Sequence, residues 1–282
     1  MSLIPRPTAE QLAEAYDASY YGSRATKFDG LAARFIQQCR RAKAVRLAKQ
    51  LPSGAVVLDV GCGDGSFLSA LGDLGDYTLH GVELNGPASR RAQRDPRIQL
   101  QLGDLLQTGY SRDQFDLVTL FHVFEHLVEP RKTLALLHDI LKPGGRLVLS
   151  FPNCGSVQAR LFKGHWLHLD PPRHLFLLSP PVAEREFARA GFSVVGRRFF
   201  SPEQNPYGFM QSLMNWLLTD RDVLYERLKG NERYAPRYGR WSLCSQKALA
   251  GLLWMPAMVV DAVESAFNRG ATVEYTLRKE SR

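Results

Sequence analysis

The sequence predicts an α/β protein built on a doubly wound sheet of seven strands. Two observations predict it. Short apolar segments rich in β-branched residues alternate with helical segments, and glycine or acidic residues follow the first three of these apolar segments. Because parallel strands are joined by crossovers that are usually helices, the alternation indicates successive βαβ units. We also expect N-terminal helices before the sheet and a helical insertion before its last strand.

The strands follow from apolar runs that end at turn residues. The first run enters a glycine cluster, and Gly191 separates the sixth run from the helix before it. The predicted strands are Val56–Val60, Thr78–Leu84, Ile98–Leu102, Phe115–Phe121, Arg146–Phe151, Phe192–Phe199 and Ala271–Leu277.

The helices follow from apolar residues at helical spacing. Lys-Pro-Gly-Gly at 142–145 ends one of them, because proline and glycine stop a helix. Between residues 34 and 49, basic side chains scatter around the helical wheel, which indicates a packed helix with a basic surface. The helices predicted between strands are Ser66–Leu74, Ala88–Arg94, Thr133–Leu141 and Val182–Ala190.

The composition is typical of a globular protein in a reducing compartment. Of 282 residues, 45% are hydrophobic and 23% charged, which excludes intrinsic disorder, collagen and coiled-coil rods. The four cysteines form no Cys-x-x-Cys pair, which argues against a disulfide scaffold or a thiolate zinc site. Residues 1–16 lack a signal-peptide pattern, and the apolar run 248–260 is shorter than the roughly 20 residues that cross a bilayer. We therefore expect a cytoplasmic protein.

The patterning divides the chain into a helical lid at 1–50, a cofactor-binding core at 51–200, a helical insertion at 201–270 and a final core strand at 271–282. The formal net charge of +8 lies outside the middle of the chain, because residues 51–150 hold more acidic than basic residues. Basic flanks suit nucleic acid, an anionic membrane or an anionic substrate, and equally an ordinary solvated surface.

Glycines and acids at three successive strand ends indicate a nucleotide-like ligand. Residues 59–65 read Asp-Val-Gly-Cys-Gly-Asp-Gly, and glycines let the backbone pass close to a ligand. The dinucleotide fingerprint requires a third glycine five positions after the first, where this chain has Ser66. Glu83, in the second strand, can accept hydrogen bonds from both hydroxyls of a ribose. Asp104, after the third strand, suits an exocyclic adenine amine.

This ordered set resembles the class I S-adenosylmethionine-dependent methyltransferases over residues 52–200. The resemblance continues in Phe-Asp-Leu-Val at 115–118, His-Val-Phe-Glu-His-Leu at 122–127 and Leu-Lys-Pro-Gly-Gly at 141–145. It implies a Rossmann-like fold, S-adenosyl-L-methionine as cofactor and methyl transfer as activity. Within the class, the chain is similar to the small-molecule branch that contains the quinone-biosynthesis O-methyltransferases.

The resemblance also implies roles for individual residues. Asp59 and the glycines would hold the methionine part of the cofactor, Glu83 the ribose, and Asp104 with Leu105 the adenine. Tyr20 and Tyr21 are candidates for a lid over the cofactor, or for an ordinary aromatic staple. The cofactor-binding residues so implied are Tyr21, Asp59, Gly61, Cys62, Gly63, Gly65, Glu83, Leu84, Asp104, Leu105, Phe121 and His122.

Methyl transfer to a hydroxyl requires the removal of a proton, for which histidine is suited. We predict His174 as the catalytic base, ahead of His122, although each also suits a structural role. The segment 166–175 recurs in many uncharacterised bacterial relatives, some of them associated with lipid and surface-polysaccharide pathways. Arg173 either pairs with an acidic substrate or anchors the loop on Asp170. The predicted substrate-binding residues are Trp166, His168, Arg173 and His174.

Three motifs suggest other chemistry. His122-x-x-Glu125-His126 matches an inverted zinc-peptidase pattern, but that pattern needs one helix and His122 follows a predicted strand, so we predict no metal site. Asp-Pro-Pro at 170–172 lacks the aromatic residue of amino-methylating nucleic-acid enzymes and follows the fifth strand instead of the fourth. Cys62 and Cys154 are expected to be inert small fillers.

The insertion allows two interpretations. Apolar residues at helical spacing over 209–218 and a second apolar stretch at 252–259 together hold four of the five methionines. They form either a helical cap on the sheet or a surface for a lipid-like substrate or the bilayer interface. The second interpretation is helped by the basic residues Arg233, Arg237, Arg240 and Lys247.

We therefore predict a cytoplasmic methyltransferase that visits the membrane surface and O-methylates a small or amphipathic acceptor that is lipid-, quinone- or sugar-like. An RNA methyltransferase and a catalytically silent cofactor-binding module are the alternatives. The turn keeps its glycines and acids, which argues against a silent module. The chain carries no appended RNA-binding motif, so we do not expect nucleic acid as a partner.

Overall fold

The computed structural model describes residues 1–2, 5–15, 30–218, 220–228 and 239–280. Its strands are β1 Val56–Val60, β2 Thr78–Glu83, β3 Ile98–Leu102, β4 Phe115–Phe121, β5 Leu141–Pro152, β6 Phe192–Arg198 and β7 Thr272–Lys279. Its α-helices are α1 Ala9–Ala15, α2 Gly30–Ala48, α3 Ser66–Gly72, α4 Pro87–Ala92, α5 Pro130–Ile140, α6 Val157–Phe162, α7 Pro180–Arg189, α8 Asn205–Leu217, α9 Val223–Leu228 and α10 Arg240–Ala266.

The strands form one seven-stranded sheet in the order β3-β2-β1-β4-β5-β7-β6, which confirms the predicted doubly wound fold. β1 pairs in parallel with both β2 and β4, β2 pairs in parallel with β3, and β4 with β5. The strand order therefore reverses between β1 and β4. In open α/β sheets, ligands bind outside the carboxyl ends of the strands at such a reversal.

The observed element bounds differ from the predicted ones mainly at β5. β1, β3 and β4 have the predicted bounds, whereas β5 begins at Leu141 instead of Arg146. Leu141 already pairs with Phe115, and the register then shifts so that Arg146 pairs with Leu117. The Pro-Gly segment at 142–145 does end the preceding helix, but it is an irregularity inside a strand and not a separate loop.

The chain divides into two compact units. The sheet unit consists of Gln37–Phe151, Pro180–Arg197 and Glu274–Arg282, and the helical unit of Met1–Ile36, Pro152–Ser179 and Arg198–Val273. Two boundaries therefore differ from the predicted ones. Most of α2, which was assigned to the lid, belongs to the sheet unit, and residues 152–179, which were assigned to the core, belong with the insertion.

The sheet unit is held by apolar packing and by ion pairs from α2. β1 is buried along most of its length, which explains its continuous apolar sequence. Ala44 and Leu47 of α2 pack into the same hydrophobic core. On the polar side of the helix, Lys43 and Arg46 lie 3.7 and 2.6 Å from the carboxylate of Glu274. These contacts confirm that α2 is a packed helix with a basic surface.

The helical unit has an apolar core and a buried polar network along α8. Met210 and Met214 are buried with Leu224 and Ala257, so the two methionines of the first apolar stretch belong to the core, whereas Leu217 at its end is exposed. Asn205 donates to Asp261 at 2.6 Å and accepts from Thr272 at 2.8 Å. The helical unit is therefore specified by buried hydrogen bonds as well as by packing.

Candidate active site

The glycine-rich turn between β1 and α3 is held by hydrogen bonds to β2. The N–H groups of Gly61 and Cys62 both donate to the carbonyl of Val82, at 2.8 and 3.1 Å. The N–H of Gly65 donates to the carbonyl of Cys62 at 3.0 Å, directly before α3 begins. The turn is thus a fixed backbone surface at the carboxyl edge of the sheet.

Two glycines of the turn serve different purposes. Gly61 and Gly63 have φ values of +69° and +60°, the left-handed region that favours glycine. A Cβ on Gly61 would overlap a methyl carbon of Val123, so this glycine is needed for packing. A Cβ on Gly63 would meet nothing within 4 Å. Gly63 is therefore the position at which a ligand can come close to the backbone.

Asp59, the last acid before the turn, is buried. Thr119 donates a hydrogen bond to it at 2.6 Å. Burial raises the pKa of Asp59 to about 7, which the Thr119 bond opposes and the nearby charge of Glu83 reinforces. Arg40 and Lys43 act in the opposite direction. A cationic ligand group near Asp59 would favour its ionised form.

Glu83 joins the end of β2 to the turn. One carboxylate oxygen accepts from the N–H of Gly63 at 2.7 Å, and the other accepts from the N–H of Leu84 at 2.9 Å. Burial raises the pKa of Glu83, and these two bonds lower it in part. Each oxygen of a carboxylate has two lone pairs, so each can still accept a bond from a ligand hydroxyl.

The edge beside Glu83 is apolar and open. Leu84, directly after β2, and Leu102, the last residue of β3, have 47% and 49% of their surface exposed. Leu102 pairs with Glu83 across β2 and β3. Asp104 is exposed, and its carboxylate caps the following turn by accepting a hydrogen bond from the N–H of Leu106 at 2.8 Å. Leu105, the next residue, is buried. The sequence analysis did not select Leu102 as a site residue. The signal that could have found it is its position at the end of a strand, directly before Gly103.

A basic side chain from α2 also reaches the turn. Arg40 lies 3.1 Å from Asp64 and donates to Ser66. Burial acts to raise the pKa of Asp64, but Arg40 and Ser66 outweigh it and the pKa is lowered. Lys43 lies 4.2 Å from the centre of the Phe121 ring, which in turn packs edge-on against Phe67. This contribution of α2 could not be assigned from charge counts.

His122 follows β4 and lies beside a buried carboxylate. Its backbone has a φ of +55°, and its Nδ1 atom is 3.3 Å from Oε1 of Glu125. Glu125 is buried, while His122 is partly exposed. The segment Phe124–His126 is a short 3-10 turn. Residues 122–126 therefore do not form the single helix that the zinc-peptidase motif requires. Glu125 as the partner of His122 was not predicted.

His174, the other predicted base, lies in the helical unit. Its Nδ1 is 2.7 Å from the carbonyl oxygen of His168, and its Nε2 is 4.0 Å from Asp170. Arg173 donates to the same Asp170, at 2.9 Å from Nε. Of the two predicted roles of Arg173, the structure shows the anchoring one.

The remaining predicted substrate residues are packed inside the helical unit. Trp166 is fully buried with Phe162 and Leu177, and its ring contacts the buried His168. His165, directly before this segment, places Nδ1 3.0 Å from the carbonyl of Asn215. The aromatic and histidine side chains of this segment therefore have structural contacts, and their role toward a substrate stays a prediction.

Neither candidate cysteine has the character of a nucleophile. Burial raises the pKa of Cys62, and the nearby Asp59 raises it further; burial also raises the pKa of Cys154. Both thiols are therefore held neutral, as expected of inert fillers. The predicted lid residues Tyr20 and Tyr21 lie outside the described residues.

Comparison with known proteins assigns the family. A family model described as a methyltransferase domain matches residues 32–196, more than half of the chain. The ubiquinone biosynthesis O-methyltransferase of Schizosaccharomyces pombe mitochondria is 34% identical over 187 residues, which is 63% of this chain and 61% of that protein. The demethylmenaquinone methyltransferase of Clavibacter sepedonicus is 33% identical over 100 residues, 34% of this chain and 41% of that protein. The matches span less than two thirds of these relatives.

Solved structures share the fold. The cyclase SpnF superposes with a TM-score of 0.59 at 18% identity and covers all of both chains. A putative sarcosine dimethylglycine methyltransferase from Galdieria sulphuraria gives a TM-score of 0.56 at 15% identity, covering 85% of this chain and 84% of that one. The chain belongs to the methyltransferase-domain family, and its fold is the Rossmann-like fold of the S-adenosylmethionine-dependent methyltransferases.

The two glycines of the turn give a stability test. Gly61→Ala and Gly63→Ala each place a Cβ in the left-handed region, at a cost of about 1–2 kcal/mol. Gly61→Ala also overlaps Val123, so it should lower the free energy of unfolding by more than Gly63→Ala does. Urea unfolding of both variants measures the difference. Equal losses would mean that Val123 does not pack on the turn.

The buried Asp59 gives a pH test. Its folded pKa of about 7 lies above the ordinary 3.8, so between these values the folded state binds a proton that the unfolded state releases. The free energy of unfolding should therefore fall as the pH rises from about 4 to 7. Asp59→Asn should reduce this slope. Urea unfolding at several pH values measures the free energy of unfolding of both proteins. The same dependence on pH in both would show that the pKa of Asp59 is not raised in the folded state.

Proposed function

We propose that this chain is an S-adenosyl-L-methionine-dependent methyltransferase that O-methylates a small or amphipathic acceptor in the cytoplasm. The observation that carries the proposal is the Glu83 carboxylate, which is fixed by Gly63 and Leu84 beside an open, apolar sheet edge. Family membership supports methyl transfer, and the two quinone-biosynthesis relatives support a quinone-like or other small acceptor.

The residues of this edge fit the proposed cofactor. Glu83 offers lone pairs to the two ribose hydroxyls, and the open space at Gly63 admits the cofactor close to the turn. Leu84 and Leu102 would offer apolar surface to the adenine, and the exposed Asp104 would accept a hydrogen bond from its amine. The buried carboxyl groups of Asp59 and Glu83 suit a cofactor that carries positive charge, because a nearby cation favours their ionised forms. When bound, S-adenosylmethionine supplies a methyl group already activated on a sulfonium.

We infer that His122 is the base. It lies in the unit that carries the turn, and its Nδ1 faces Glu125 at 3.3 Å. A proton on Nδ1 leaves Nε2 free to accept a proton from the acceptor hydroxyl, and Glu125 would stabilise the resulting imidazolium. The deprotonated acceptor oxygen would then be the nucleophile for the methyl group that the cofactor supplies. Glu125 is a positioning residue in this scheme.

One labelling experiment separates the proposed function from the two alternatives. A catalytically silent module would bind the cofactor without transferring methyl, and the cyclase SpnF shares this fold. Incubation of cell extracts with the protein and trideuteromethyl-labelled S-adenosylmethionine, followed by mass spectrometry, should reveal a small molecule that gains one labelled methyl group. Label on RNA alone would favour the RNA methyltransferase, and no label would favour the silent module.

Cofactor binding tests the role of Glu83. Glu83→Ala should weaken S-adenosylmethionine binding by roughly tenfold or more, because hydrogen bonds to a charged acceptor are worth about 1.5–3 kcal/mol. Glu129→Ala, an exposed glutamate paired with Lys132, is the matched control and should bind normally. Calorimetry measures both. Unchanged affinity in Glu83→Ala, or preferential binding of NAD, would contradict the assignment.

Turnover tests the base. With an acceptor from the extract screen, His122→Ala should retain cofactor affinity, and its kcat should be lower by a factor of about 10²–10⁴. Glu125→Gln should also lower kcat with cofactor affinity retained, because the neutral amide does not stabilise the imidazolium. His174→Ala is the comparison. Loss of turnover in His174→Ala alone would reverse the assignment and restore His174 as the base.

A further inference from the structure

Helix α10 presents a long apolar face that no other described residue covers to any large extent. Its window Trp241–Ala266 is long and apolar enough to cross a membrane by length and composition alone, a test that core helices and signal sequences also pass. Only 17% of its most apolar window is buried, so α10 is not an ordinary core helix. Its exposed large apolar residues are Leu252 (74%), Met255 (69%), Val259 (60%) and Val263 (54%), with Phe267 (73%) directly after the helix.

These residues form one stripe. Steps of three and four residues place side chains on the same face of a helix, and 252, 255, 259, 263 and 267 follow these steps. From Leu252 to Phe267 the stripe is about 22 Å long. Val157 of α6 lines a groove of about 410 Å³ together with Val259, Val263 and Phe267. Leu161, one turn further along α6, is also exposed, so α6 widens the apolar surface.

The two carboxylates of α10 bind inside the helical unit, although Glu264 also borders the groove. Asp261 and Glu264 are buried and bind Asn205 and Gln158 inside the helical unit, at 2.6 and 3.1 Å. Trp254 is also turned inward, where it contacts Phe35 edge-on. A helix that buries its carboxylates and exposes its valines and leucines has the reverse of the pattern expected next to water.

The exposed charges around the stripe are of one sign. Arg160 and Lys163 near the exposed residues of α6, Lys247 on α10 and Arg269 at the groove are all exposed. Of the acidic side chains of the helical unit whose burial is described, only Glu10 is exposed. An apolar stripe with cationic neighbours complements the interface of an anionic bilayer. It suits a second copy of the same chain less well, because the like charges would be brought together.

We propose that α10 lies in the plane of an anionic membrane surface, with the stripe defined by Leu252, Met255, Val259, Val263 and Phe267 inserted among the lipids. The helix does not cross the bilayer, because Asp261 and Glu264 would then be held at membrane depth, where carboxylates are costly. The inference goes beyond the proposed methyl transfer and does not depend on it, since neither cofactor nor acceptor takes part in the binding.

Flotation with vesicles tests the proposal. The full chain should float with vesicles of phosphatidylcholine and phosphatidylglycerol in equal parts, and much less with phosphatidylcholine alone. Val259→Glu and Val263→Glu should each lower the bound fraction by about tenfold or more, because they place a carboxylate among the lipids. Val195→Glu is the matched control, since Val195 on β6 has a similar exposed fraction of 53%. It should float like the unmodified chain.

Each other outcome contradicts the proposal. A chain that stays with the unbound fraction on anionic vesicles, or Val259→Glu and Val263→Glu variants that float as well as Val195→Glu, would show that the stripe does not bind lipid. A dimer in sedimentation that Val259→Glu dissociates, without vesicle binding, would identify the stripe as a contact between two copies. A chain that resists extraction from vesicles by alkaline carbonate would indicate a helix that crosses the bilayer.

Discussion

The carboxylate of Glu83 connects the two parts of the candidate cofactor site. It accepts hydrogen bonds from Gly63 in the turn after β1 and from Leu84 at the end of β2. The same turn is tied to β2 by two bonds from Gly61 and Cys62 to Val82. The relative position of turn, β2 and the open sheet edge therefore depends on a few bonds between adjacent strands.

This arrangement has an electrostatic cost that a ligand can relieve. Asp59 and Glu83 are both buried, and each is harder to ionise than in water. Thr119 and the basic side chains of α2 offset part of this cost but not all of it. A bound cation would remove more of it. The charge balance of the site thus favours a positively charged ligand in the same place where the sheet topology favours a nucleotide-like one.

The fold and the cofactor edge could be predicted from the sequence because they depend on local signals. Strand periodicity fixed the bounds of β1, β3 and β4, and the turn with its two following acids lies within 46 residues of chain, from Asp59 to Asp104. The ranking of His174 ahead of His122 had no such signal behind it, because the sequence does not show which of the two histidines belongs to the unit that carries the turn. The orientation of α10 was also hidden, because apolar residues occur on both of its sides and only packing distinguishes Trp254 from Val259.

A crystal structure with bound S-adenosylhomocysteine tests the central claim most directly. The account predicts the nucleoside at the carboxyl ends of β1 to β3, with both ribose hydroxyls within hydrogen-bond distance of the Glu83 carboxylate and the adenine between Leu84 and Leu102. A nucleoside bound elsewhere, or a ribose that does not contact Glu83, would contradict it.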